Sequence, residues 1–261
     1  MNDKLVFGIR SCQVPPYPER AKECLDTWGK HAKDLGYTVK VLLGNRNLYN
    51  EYLDTQDILW SRAIDWDSKS RYKCELFEKN VFYPCKWFLN ETDYEYFFIT
   101  DDDSFIDIDK FIPHLKKLIE DYKEVDYMGC CGPWQGWNAN IPHIEYISKP
   151  YIEGSPSIYA HGGPGFLLSR KAAKIIIDNF VVSDYETTYW CDGVTAEILL
   201  NNQIPLLHNG YIFSESPFLS TIVYTNGTFP PYIGDATGEH LIAQHCVSGK
   251  MEEINKYIKK R

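Results

Sequence analysis

The chain has 261 residues, 44% hydrophobic and 24% charged, the composition of an ordinary globular protein long enough for one large α/β domain or two small ones. Its net charge of −9 argues against nucleic acid as a partner, because phosphate backbones bind basic surfaces. Eight cysteines without CxxC or Cys/His zinc spacing read as reduced thiols rather than a disulfide framework.

Leu5-Val6-Phe7-Gly8-Ile9 reads as a first strand. Neither a signal peptide nor a membrane span is visible, so the chain reads as cytoplasmic and soluble. The alternative is a secretory-lumen domain separated from its anchor, and only there do the sequons at Asn90 and Asn226 matter. After the breaker run Val14-Pro15-Pro16-Tyr17-Pro18, residues 19–35 are expected to be helical, and residues 37–43 form a second strand ended by Gly44-Asn45. This β-α-β opening predicts a parallel pair with a right-handed crossover. A helix is expected over 70–83, then a strand over 94–100. Phe111, Leu115, Leu118, Ile119 and Tyr122 keep helical spacing. Residues 132–157, with Trp134, Trp137 and Tyr146, read as loops and short strands. Ser169 is a plausible N-cap, a further helix is expected over 194–201, and a lysine-rich helix over 251–261 ends a loop-rich last third. No repeat or linker interrupts the chain, so one domain over 1–261 is the economical reading.

Three consecutive aspartates, Asp101, Asp102 and Asp103, follow the aromatic run Tyr94-Glu95-Tyr96-Phe97-Phe98-Ile99-Thr100. At roughly 4 Å and an effective dielectric near 20, each close pair of like charges costs on the order of 4 kcal/mol. Something positive must therefore meet them. A hard divalent cation, Mn²⁺ or Mg²⁺, is the natural partner for carboxylate oxygens, and ligands of open α/β sheets bind at the carboxyl ends of strands. The plain alternative is a solvated acidic turn capping the next helix. A glycine box, His161-Gly162-Gly163-Pro164-Gly165-Phe166-Leu167-Leu168-Ser169-Arg170, permits close backbone approach but lacks the Gly-Lys-Ser/Thr of a phosphate loop. Asp192, just before an apolar helical stretch, is either a helix cap or a general base. His245, in Gln244-His245-Cys246, is a candidate to complete a carboxylate metal site, with His208 and His240 as competitors.

Taken in order, these pieces resemble the fringe-like glycosyltransferases of glycosyltransferase family 31, which include the core 1 β-1,3-galactosyltransferases. Arg20-Ala21-Lys22-Glu23-Cys24-Leu25-Asp26-Thr27-Trp28, Leu76-Phe77-Glu78-Lys79, the aspartate strand, Gly162 to Arg170 and His245-Cys246 carry the likeness. Pro164 stands where the family has a small residue, and one acid, Asp192, where it often has two. The resemblance implies a GT-A fold, a Rossmann-like mixed sheet with helices on both faces. Its nucleotide half would span about 1–103 and its acceptor half about 104–261. It implies inverting transfer from a UDP-sugar to a glycan or glycosylated acceptor. Asp103 and His245, with Asp101, would hold Mn²⁺ or Mg²⁺. Asp101, Asp102, Lys79, Arg10 and Gly163 would contact the nucleotide, and Asp192 would deprotonate the acceptor hydroxyl. Two other classes stay open: a sugar-binding protein on a degenerate transferase fold, and a metal-dependent phosphohydrolase, although the latter commonly holds two metals.

Overall fold

The computed structural model describes residues 4–44, 55–61, 77–130, 144–147, 159–181, 191–209, 212–213, 243–244 and 251–252. Their strands, in chain order, are β1 (Leu5–Arg10), β2 (Thr38–Leu43), β3 (Ile58–Trp60), β4 (Tyr96–Asp101), β5 (Phe105–Ile106), β6 (Tyr127–Gly129), β7 (Ile144–Ile147), β8 (Phe166–Ser169), β9 (Leu206–Asn209), β10 (Ile212–Phe213) and β11 (Ala243–Gln244). Eight of them form a mixed sheet in the order β3-β2-β1-β4-β8-β6-β9-β7, and β10-β11-β5 form a second, small sheet. β1 runs parallel to both β2 and β4, whereas β8 is antiparallel to its neighbours β4 and β6.

The order 3-2-1-4 is that of a Rossmann-like half, and the chain is an α/β protein with helices on both faces of its sheet, as its sequence led one to expect. Strands covered on both faces read as unbroken apolar runs, and every residue of β1 is buried. The two faces separate at Phe97 and Phe98, which point opposite ways along β4. Phe98 packs with Phe7, Trp28, Phe111 and Leu115 beneath the helices Tyr17–Cys24 and Ile108–Tyr122. Phe97 packs with Phe88, Phe166, Ala172 and Ile198 on the other side.

Three helix boundaries differ from expectation. The first helix begins at Tyr17, two residues early, and continues through a π-helical turn, Leu25–Gly29, into Lys30–Asp34. Pro18 sits in its first turn, where a missing N–H costs nothing, so the proline run starts the helix rather than delaying it. The helix expected over 70–83 runs on past that end, through a π turn at Glu78–Phe82 into Tyr83–Glu91, with Pro84 at the junction of the two; residues 70–76 lie outside the described residues. The late helix starts at Cys191, so Asp192 lies within its first turn, where a carboxylate suits the helix dipole. Ser169 is the N-cap of the helix Arg170–Asn179, its Oγ accepting from the Ala172 N–H at 3.2 Å. The segment 132–143, with Trp134 and Trp137, and all but the first two residues of the expected C-terminal helix lie outside the described residues. Among the described residues, Cys12, Cys24, Cys85, Cys130 and Cys191 are not joined in disulfides, and no helix is long and apolar enough to cross a membrane.

Candidate active site

β1 and β4 lie side by side with Arg10 in register with Asp101, so both strands deliver their last residues to one edge of the sheet. This is the point at which the strand order turns from 3-2-1 to 4, the usual place for a ligand crevice in a doubly wound sheet. A cleft of about 330 Å³ opens there. The three aspartates line it together with Arg10, Arg20, Lys79 and Tyr17.

Each aspartate meets a different partner. Asp101 Oδ1 accepts from Arg10 Nε at 2.6 Å. Asp102 Oδ2 accepts from Ser11 Oγ at 2.6 Å, and its side chain is almost wholly buried. Asp103 Oδ2 lies 3.4 Å from Arg20 Nη1, whose guanidinium stacks on Tyr17 at 5.3 Å. The chain therefore supplies cations of its own to two of the three carboxylates, and repulsion within the triad does not by itself demand a metal. Asp102 is the exception. Burial, opposed by Ser11 but reinforced by Asp101 and Asp103, pushes its carboxyl up to about 8.

The turn itself is held by the glycine box. The carbonyl of Gly163 accepts from Thr100 Oγ1 at 2.9 Å, from Ser104 Oγ at 2.6 Å and from the Asp101 N–H at 3.1 Å. Gly165 has φ +112°, and a Cβ there would meet the Phe98 ring at 2.4 Å, so both its backbone and its surroundings require glycine. From the far side, Trp28 Nε1 donates to the Ser104 carbonyl at 2.9 Å, and Cys24 Sγ donates to the Asp102 carbonyl at 3.2 Å. Lys79, expected beside a nucleotide, is buried on the cleft wall and donates to the Ser11 carbonyl at 2.7 Å.

Asp192 does not line the cleft directly. Its Oδ1 accepts from Arg10 Nη1 at 2.7 Å and its Oδ2 from the Gly162 N–H at 2.8 Å. Burial alone would raise this carboxyl, but the Arg10 guanidinium, with help from Gly162 and Cys191, holds it below the usual carboxylate range, so it is ionised at neutral pH. Burial pushes the adjacent Cys191 thiol up to about 12, which leaves it inert as a nucleophile.

Of the expected site residues, the structure gathers Arg10, Lys79, Asp101, Asp102, Asp103, Gly163 and Asp192 around one crevice. His245 lies outside the described residues. Among the described residues no three His, Cys, Asp or Glu side chains converge as a metal site. The hard oxygens of Asp101 and Asp103 are nonetheless the donor type that Mn²⁺ or Mg²⁺ prefers. Ser11 and Tyr17 were missed in the sequence, where nothing distinguishes them. The bond between Arg10 and Asp192, 182 positions apart, has no local signal either.

No family model matches the chain, and no curated protein matches it. Among solved structures it is similar to the crystal structure of a glycosyltransferase involved in the glycosylation of the major capsid of PBCV-1, at 12% identity and a TM-score of 0.37, over 98% of this chain and 100% of that one. That likeness is too distant to carry weight, and the fold rests on the strand order and register.

Proposed function

We propose that the protein is a metal-dependent, inverting glycosyltransferase of GT-A type that moves a sugar from a UDP-sugar to a glycan hydroxyl. The observation that carries the reading is the run of three carboxylates at the end of β4, set in a crevice at the strand-order switch and pinned through Gly163. A cleft bearing both carboxylates and Arg10, Arg20 and Lys79 suits a nucleoside diphosphate together with a divalent cation. Asp103, Asp101 and His245 are the residues proposed to hold that cation. Gln244, which precedes His245, pairs with Phe105, two residues beyond Asp103, and this supports His245 as a ligand. When bound, the cation would offset charge on the diphosphate leaving group.

In this reading the acceptor oxygen bonds to the anomeric carbon while the bond from that carbon to the phosphate oxygen breaks, and the electron pair leaves with UDP. Asp192, which is ionised, is the residue proposed to take the acceptor proton. Because Arg10 and the Gly162 N–H hold both its oxygens and lower its basicity, it would have to give up one of those bonds to the acceptor to do so. Arg20 and Lys79 orient the diphosphate, and Asp102 lies beside the ribose.

The arginine partners of Asp101 and Asp103 favour one other reading, a non-catalytic carbohydrate-binding protein on the same fold. A panel of UDP-sugars with Mn²⁺, reading free UDP and then transfer to glycan acceptors, separates the two. Slow hydrolysis of one donor, with a β-linked product from the α-linked donor by anomeric proton coupling, is expected. No UDP release from any donor, or an α-linked product, would overturn the proposal.

A further inference from the structure

Arg10 is 6% exposed, yet its charge is divided between two carboxylates that come from opposite halves of the chain. Nε reaches Asp101 at 2.6 Å, and Nη1 reaches Asp192 at 2.7 Å and Cys191 Sγ at 3.0 Å. The guanidinium lies over the Phe166 ring, 5.8 Å from its centroid. Asp192 is anchored in turn by the Gly162 N–H, and the next residue, Gly163, grips the Asp101 N–H through its carbonyl. The loop thus touches both ends of the arginine's span. A guanidinium is a rigid planar fork, so two carboxylates bonded to it keep a fixed separation, which an ammonium on a flexible stem cannot impose. Asp101 faces the cleft, with its side chain 33% exposed, whereas Asp192 stands behind it at 16%.

We propose that Arg10 is a positioning residue, a buried strut that fixes the Asp101 carboxylate at the cleft by anchoring it to Asp192. Asp192 then governs nucleotide binding through Arg10, in addition to any part it takes at the reacting hydroxyl. The inference rests on the nucleotide-sugar reading of the cleft. It reassigns Arg10 from a nucleotide contact to a support of the residue that makes one.

The experiment compares wild type, Asp192→Asn, Arg10→Gln and the double variant by calorimetry of UDP in the presence of Mn²⁺, without acceptor, and by thermal unfolding. Asp192→Asn is expected to weaken UDP binding by about tenfold or more, Arg10→Gln by a similar factor, and the double variant no further than the worse single change. Arg10→Lys, which keeps the charge but not the two-armed grip, gives a loss in the same direction and serves if Arg10→Gln does not fold. Wild-type UDP affinity in Asp192→Asn, or losses that multiply in the double variant, would overturn the strut. Should wild type itself not bind UDP with Mn²⁺, the nucleotide reading fails, and the strut is judged on unfolding alone. There the midpoint losses of the two single variants must not add, and additive losses refute it.

Discussion

Gly162→Ala isolates the geometry behind the site in one methyl group. A Cβ at position 162 would lie 2.0 Å from Arg10 Nη2, 2.5 Å from Arg10 Cζ and 2.2 Å from Asp192 Oδ1. All are far inside contact distance, so the guanidinium or the carboxylate must move. Neither can do so freely, because Arg10 is bound at 2.6 Å to Asp101 and at 2.7 Å to Asp192. Breaking a buried ion pair so that one charge is left behind costs about 3–5 kcal/mol. For a protein of this size that corresponds to a fall in unfolding midpoint of roughly 10 °C. Gly193 supplies the control. It neighbours the same aspartate, in the first turn of the helix Cys191–Asn201, and a Cβ there meets nothing within 4 Å. Gly193→Ala should therefore be neutral or stabilising by roughly 0.5 kcal/mol, as for glycine replaced in a helix. Differential scanning fluorimetry or urea titration of the two variants decides the matter. A Gly162→Ala protein that unfolds within about 2 °C of wild type would refute the packing of Gly162 against the Arg10–Asp192 pair.

Two further outcomes follow from the triad. Asp102 titrates near 8 in the folded protein and near 3.8 when unfolded, so between these values the folded state holds a proton that the unfolded chain has released. The metal-free protein should lose stability as pH rises through that window, by on the order of 5 kcal/mol in all, and Asp102→Asn should flatten the slope. An unchanged slope in a chelator-treated pH series of midpoints would remove Asp102 as its cause. If Asp103 ligates the cation, Asp103→Ala should abolish Mn²⁺-dependent UDP binding in calorimetry, while unaltered binding would exclude that role.

Much of the N-terminal part of the sheet was legible in the chain. β1, β2 and β4 are apolar, β-branched or aromatic runs bounded by polar or breaker residues, and the parallel pairing of β1 with β2 follows from the intervening helix, whereas the pairing of β1 with β4 does not show in the sequence. The triad was legible because consecutive carboxylates after such a run are a local pattern. β6, β8 and β9 carried too little periodicity at three or four residues each, and the antiparallel insertion of β8 between β4 and β6 left no mark in the sequence. The start of the first helix was misread because proline is a breaker inside a helix but harmless in its first turn.

The glycine box shows where sequence ends and tertiary structure begins. Its composition announced close backbone approach, but each residue's task depends on what the fold brings opposite. Gly162 makes room for the Arg10–Asp192 pair, and Gly163 pins the aspartate turn. Phe166 supports a guanidinium, and Ser169 caps a helix. Arg170 binds the carbonyls of Phe88, Leu89, Thr92 and Tyr94 near the end of the helix Tyr83–Glu91. The sequence by itself determined which charges stand at the end of β4, since adjacency along the chain is enough to place three carboxylates together. Only the tertiary structure decided how those charges are met. Arg10 reaches Asp101 across the β1–β4 register and Asp192 across 182 positions, and such contacts exist only once the sheet has closed.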